Sequence, residues 1–203
     1  MLIAVLIVAL IGYLLGALPF GFLVARAHGV NIFEVGSRNP GATNVRRVLG
    51  AKAGNLVFAL DALKGALAGA WALLARTKAS VSIEFENWGL PGGHIANSDW
   101  ISLGVAGLAG SLLGHSFSCF TRFKGGKGVA TAAGGFLSIA PLVVLAGGLV
   151  WTTVFFSLRY VSLASILAGT VLPVAAWFTG QPSVVLGLSV VVAAFVLIRH
   201  RTN

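Results

Sequence analysis

Charge is what this chain of 203 residues has least of. Only 9% of the residues are Asp, Glu, Lys or Arg, where a soluble domain carries about a quarter. With 57% hydrophobic residues and a mean hydropathy of +0.94, this scarcity excludes a water-soluble globule. It predicts a polytopic membrane protein built from apolar runs near about 20 residues. Cysteine is nearly absent too. Cys119 stands alone, so neither an internal disulfide nor a thiolate metal cluster can form. Four histidines, His28, His94, His115 and His200, are scattered without zinc-ligand spacing. A charged segment ahead of the first apolar run is also missing. Ala25-Arg26-Ala27 faintly resembles a cleavage site, yet residues 1–25 read as a retained span.

What is present divides into spans and polar connections. Leu2–Ala25 reads as the first span, with a kink at Pro19 and Gly21. A connection from Arg26 to Lys52 follows, then a second span, Ala53–Leu74. Asp61 and Lys64 lie inside that span on one helix face, expected as an inward-facing pair, structural in preference to catalytic. The connection Arg76–Trp100 holds three of the acids, a candidate short strand or interfacial piece at Val81–Phe85, and Trp88 and Trp100 suited to an interface belt. A third span begins at Ile101–Leu113 and can continue through His115 to Phe120. The apolar stretch Gly128–Leu158 is too long for one crossing, and a turn at Ala140-Pro141 would make it two short helices. Val161–Phe178 and Ser183–Ile198 complete the set.

The expected fold is therefore an all-α integral membrane protein in one domain, with seven transmembrane helices, some of them short. Its N-terminus would lie outside and its C-terminus in the cytoplasm. On this topology the inner side holds Arg26, Arg38, Arg46, Arg47, Lys52, Arg122, Lys124, Lys127, Arg159, Arg199 and Arg201, and the outer side only Arg76 and Lys78. That asymmetry obeys the positive-inside rule. It assigns the net charge of +9 to inner loops and anionic ligands rather than to nucleic acid. The small-residue spacings Gly65…Gly69 and Gly110…Gly114 allow close helix approach.

Two stretches break the apolar character. Val35–Gly50 reads V-G-S-R-N-P-G-A-T-N-V-R-R-V-L-G, and Gly114–Thr131 reads G-H-S-F-S-C-F-T-R-F-K-G-G-K-G-V-A-T. Pro40-Gly41 fits a turn. The Gly-Gly-Lys-Gly run can turn backbone amides inward as an anion nest, and the cations add a point charge and a guanidinium fork for phosphate oxygens. Basic loops alone are ordinary in membrane proteins. The joint presence of Ser, Asn, Thr, Gly and cations in two segments points to a phosphate site.

Several chemistries are set aside. The glycine turn is not a nucleotide-binding P-loop, because position 121 is Thr and position 128 is Gly. His115 is not followed by an aspartate at acyltransferase spacing, and the inner face has one carboxylate, Glu34. No carboxylate dyad or metal site is expected. Catalysis would have to work by positioning and by cation or backbone stabilisation. An anion transporter is the rival class, although no internal repeat is evident. A histidine phosphatase would need an acid partner that His115 lacks in the sequence.

The segments G-S-R-N-P-G-A-T-N-V-R-R, G-H-S-F-S-C-F-T-R-F-K-G-G-K-G-V-A-T and R-Y-V-S-L-A-S-I, with the early Gly16–Gly21 run and the D-x-x-K-G of the second span, resemble the bacterial acyl-phosphate:glycerol-3-phosphate acyltransferase family of the PlsY type. The resemblance covers essentially the whole chain. It implies a multi-pass enzyme of the bacterial inner membrane, needing no cofactor or metal and expected as a monomer. The enzyme would move an acyl group from acyl-phosphate to the sn-1 hydroxyl of glycerol 3-phosphate on the cytoplasmic side. Carried over by position, Ser37, Arg47 and Lys127 would be catalytic. Asn39, Ala42, Thr43, Asn44, His115, Gly125, Gly126, Gly128, Ser165, His200 and Asn203 would bind substrate. Position 38 is Arg where the family commonly has a small residue. The family's tail usually continues N-x-x-R-L-x-x-G-x-E, whereas this sequence stops at Asn203.

Overall fold

The structure is a computed structural model that describes residues 1–74, 81–83, 93–95 and 97–201. Asn203, Trp88, Arg76 and Lys78 lie outside the described residues, as do Glu84 and Phe85 of the candidate strand.

The first apolar run forms two helices rather than one kinked span: α1 (Leu2–Ala17) and α2 (Phe20–Ala27). The break falls at Leu18-Pro19, because proline lacks the N–H that would continue the helical ladder. The first connection is not all loop. Gly41 caps α3 (Ala42–Leu49), and Gly50, at φ 90°, turns the chain into α4 (Ala51–Gly69). A short turn of helix, α5 (Trp71–Leu74), follows. Strands β1 (Val81–Ile83) and β2 (Gly93–Ile95) pair antiparallel, Val81 opposite Ile95. Then come α6 (Asn97–Ser116), a single 3-10 turn at Cys119–Thr121, α7 (Val129–Ile139) and α8 (Pro141–Leu158). The expected break at Ala140-Pro141 is present, with Pro141 opening α8, where its missing N–H costs nothing. Helices α9 (Val161–Phe178) and α10 (Ser183–His200) close the chain.

Among the described residues, five helical stretches are long and apolar enough to cross a bilayer: Leu2–Ala27, Asp99–Thr121, Pro141–Leu158, Val161–Phe178 and Ser183–His200. The other two apolar segments fall short for different reasons. Helix α4 carries Lys52, Asp61 and Lys64. Helix α7 has 11 residues, about 16 Å of rise, roughly half a hydrocarbon core.

The packing explains where the polar stretches end up. Helix α1 lies along α6, and α4 along α7. Both seams depend on glycine. A Cβ at Gly12 would overlap the carbonyl of Gly107, and one at Gly65 would overlap that of Thr131. The main core joins α6 to α10 through Leu108, Phe136, Val143, Leu172, Val185 and Val192. A smaller apolar cluster of Ala25, Ile32, Val45, Ala53 and Val57 pins α3 between α2 and α4. That second cluster holds the first basic segment in place as a helix.

Candidate active site

The first basic segment is organised by its own side-chain amides. Asn39 Oδ1 accepts from the Gly41 N–H at 2.8 Å, which starts α3. Asn44 is buried; its Oδ1 accepts from the Ser37 N–H at 2.8 Å and its Nδ2 donates to the Val35 carbonyl at 3.1 Å. Asn44 therefore braces the loop and spends both ends of its amide inside it. Ser37 stays exposed. Arg38 adopts φ 56°, the left-handed region that favours glycine. Thr43, Arg46 and Arg47 project from α3, and among the described residues neither guanidinium has an ion-pair partner.

The second segment is tied to the first. Asn39 Nδ2 donates to the Gly125 carbonyl at 3.4 Å. The Gly126 N–H donates to the His115 carbonyl at 3.1 Å, and any side chain at Gly126 would collide with the His115 ring. Two glycines are therefore needed to lay this turn on the imidazole. Gly128, at φ 81°, caps α7 without a side chain, so the helix presents bare N–H groups next to Lys127, an arrangement that favours anions. Lys127 is half-buried. Burial pushes its ammonium below the ordinary lysine range, and the nearby Arg199 pushes it further the same way.

One expectation is overturned here. His115 does have an acid partner, supplied by a distant helix: its Nδ1 lies 3.5 Å from Asp61 Oδ1. The same oxygen pairs with Lys64 Nζ at 2.8 Å, and Lys64 also donates to the Leu18 carbonyl at 2.9 Å, freed by the α1 break. The expected Asp61–Lys64 pair is present, buried and inward-facing, and it has a third member. The imidazole is packed against Gly126, so this cluster supports the turn from beneath.

An open groove of about 760 Å³ runs from α3 along α7, α8, α9 and α10. Its walls are apolar, with Phe58, Phe136, Val144, Trp151, Phe155 and Leu172 among them. Arg46, Arg47 and Thr43 line it where α3 meets it. Ser165, also in the wall, donates to the Val161 carbonyl at 2.8 Å and accepts from Trp151 Nε1 at 3.2 Å. Of the other expected site residues, Ala42 lines the groove, while Ser37, Asn39, His115, Gly125, Gly126, Lys127 and His200 do not. His200 is buried, with Nδ1 on the Val196 carbonyl at 2.8 Å.

Comparison with known proteins decides the family. The sequence profile of the glycerol-3-phosphate acyltransferase family matches residues 6–203. The chain belongs to this family. Among curated members of the glycerol-3-phosphate acyltransferases, that of Aquifex aeolicus is 42% identical over 98% of this chain and 92% of its own length. That of Fusobacterium nucleatum is 39% identical over 94% and 88%. The crystal structure of PlsY, an integral membrane glycerol 3-phosphate acyltransferase, in its glycerol 3-phosphate form superposes with a TM-score of 0.82 at 39% identity, covering 98% of this chain and 89% of that one. The lysophosphatidic acid form gives 0.78. These relatives are glycerol-3-phosphate acyltransferases, and the transporter alternative is not favoured.

Proposed function

We propose that this protein transfers a fatty acyl group from acyl-phosphate to the sn-1 hydroxyl of glycerol 3-phosphate, releasing lysophosphatidic acid and phosphate. The observation that carries the reading is the groove. A wall of apolar side chains with Arg46 and Arg47 at one end matches a substrate with a long apolar tail and an anionic head. The nearby glycine turn, the α7 N-terminus and Lys127 make a second anion site, and two phosphate-bearing substrates call for two. In this reading Arg47 and Lys127 hold phosphates, and Ser37, Asn39, Thr43 and Ser165 orient the reacting groups. The hydroxyl attacks the acyl carbon, the carbon–oxygen bond to phosphate breaks, and an oxygen of the departing phosphate takes the hydroxyl proton. Near-attack placement supplies about 7–11 kcal/mol in such reactions, so no side-chain base is required. Seven crossings, with α4 and α7 included and the two basic segments facing the cytoplasm, fit the charge asymmetry.

The test is phosphate release by the purified protein in lipid, given palmitoyl-phosphate with and without glycerol 3-phosphate. Release that needs both, with lysophosphatidic acid formed, is the expected result; release without the acceptor would refute the transfer. Arg47→Ala should abolish turnover while the protein remains folded.

A further inference from the structure

Arg199 stands in the sequence as one more cation at the end of the last span, and the site described above gives it no role. Its contacts are specific. The guanidinium lies over the Phe117 ring, 5.5 Å from the centroid. Its Nη2 donates to the Gly126 carbonyl at 2.8 Å and to the Gly125 carbonyl at 3.3 Å. Both protons of that nitrogen are therefore spent on the backbone of the glycine turn.

The consequence follows from the planarity of the peptide. In a trans peptide the carbonyl of one residue and the N–H of the next point in opposite directions. Tying the Gly126 carbonyl toward Arg199 turns the Lys127 N–H away from it. The Gly126 N–H, opposite the Gly125 carbonyl, is held by His115. Among the described backbone hydrogen bonds, none uses the N–H of Lys127, Gly128 or Val129. Consecutive glycines have no side chains to fix their peptide planes, and each can rotate at little cost. An external anchor is needed for the Lys127 N–H, on the Gly126–Lys127 peptide, to keep one orientation.

We propose that Arg199 is a positioning residue: it fixes the Gly125 and Gly126 peptide planes so that the Lys127 N–H, the first of the run leading into α7, faces a bound phosphate group. The inference rests on reading this turn as a phosphate site. Asn39 contributes from the other side, since it shares the Gly125 carbonyl.

The test uses the full chain in lipid nanodiscs. Backbone hydrogen exchange is followed over Lys124–Val129, and acyl transfer is followed with acyl-phosphate and glycerol 3-phosphate. In Arg199→Ala, exchange of the Gly126 N–H, the one bonded to the His115 carbonyl, should quicken by about tenfold or more, the scale of one charge-assisted hydrogen bond, with α4 and α6 unchanged. KM for a phosphate-bearing substrate should rise by about the same factor, with a smaller change in kcat. Guanidinium ion, below denaturing concentration, should restore both; ammonium ion should not. Arg199→Lys keeps the charge and loses the fork. It should show the same faster exchange, and it replaces the alanine variant should that one not fold. Unchanged exchange over the turn overturns the proposal, as does a fall in kcat at constant KM with no guanidinium rescue. Wild-type protein that transfers no acyl group would instead sink the function proposed above, while the exchange measurement would still decide the role of Arg199.

Discussion

Glycine does opposite things in the two halves of this molecule. Along the α1–α6 and α4–α7 seams, the glycines stand where another helix's backbone passes. A Cβ at Gly110 would overlap the Ala9 carbonyl, and one at Gly134 that of Ala62. Around α8, α9 and α10 no glycine meets another helix's backbone at overlap distance; the tightest, Gly147, would place a Cβ 3.0 Å from the end of the Leu172 side chain. A Cβ at Gly148 or Gly187 would have no neighbour within 4 Å, and one at Gly169 would sit at ordinary contact, 3.5 Å from Val196. In the first half, absence of a side chain lets helices touch, which is the route to stability where lipid is as apolar as leucine. In the second half, absence of a side chain at Gly148 and Gly169 leaves volume in the groove wall. One half is built to hold a shape and the other to hold something.

That contrast can be broken experimentally. The largest effect is expected at the charged node of the tight half. Asp61→Ala leaves Lys64 buried without its anion, a change that costs about 3–5 kcal/mol in comparable settings. Denaturant titration in detergent should show it, and Asp61→Leu with Lys64→Met together should recover much of the loss. Next, Gly134→Ala should push α7 off α4 and cost about 1–3 kcal/mol by the same titration; a shift near zero would remove the distinction between the halves. Gly148→Leu, in the open half, should change stability by no more than about 0.5 kcal/mol. It should nevertheless slow transfer of long acyl chains more than short ones, read as kcat/KM across a chain-length series. The smallest effect is a pH dependence where the halves meet. In the proposed reading Lys127 would bind an anion only as the ammonium, and burial and Arg199 together hold its pKa below the ordinary lysine range. Binding is complete on the acid side of that lowered value and lost as pH rises through it. KM for the phosphate-bearing substrate should therefore climb at a lower pH than an ordinary lysine would give, and Lys127→Arg should remove that limb.

Much of the helical layout was legible because helices are written locally. Pro141 opens α8 as expected, Arg159-Tyr160 separates α8 from α9, and Val161–Phe178 is found with its expected bounds, whereas the kink expected at Pro19 is a full break between two helices. The glycine spacings pointed to close seams, and Gly65 and Gly110 lie in them. Helix α3 was missed because Pro40-Gly41 reads as a turn, yet that turn begins a helix whose apolar side, through Val45, faces a pocket made by distant segments. The Asp61–His115 contact was missed for a deeper reason. No periodicity tells which helices lie side by side, so an acid on α4 and a histidine at the end of α6 carry no mark of their meeting. Arg199 is the same case. Its charge was visible, while its hydrogen bonds to two glycine carbonyls belong to the tertiary fold. The polar motifs announced themselves as a set; their division into groove end, glycine turn and buried support did not.

The groove is open, and α8, one of its walls, carries Leu142, Leu145, Leu149 and Phe156 exposed on its outer face. An occupant with an apolar tail would come and go sideways and would never need to leave the lipid phase. Encounter then becomes a two-dimensional search, and the concentration that governs saturation is a mole fraction among lipids rather than a molarity in water. For the apolar substrate, doubling the lipid at constant enzyme and substrate should act as dilution. The water-borne partner would not notice the change, so one catalytic centre would obey two different measures of abundance.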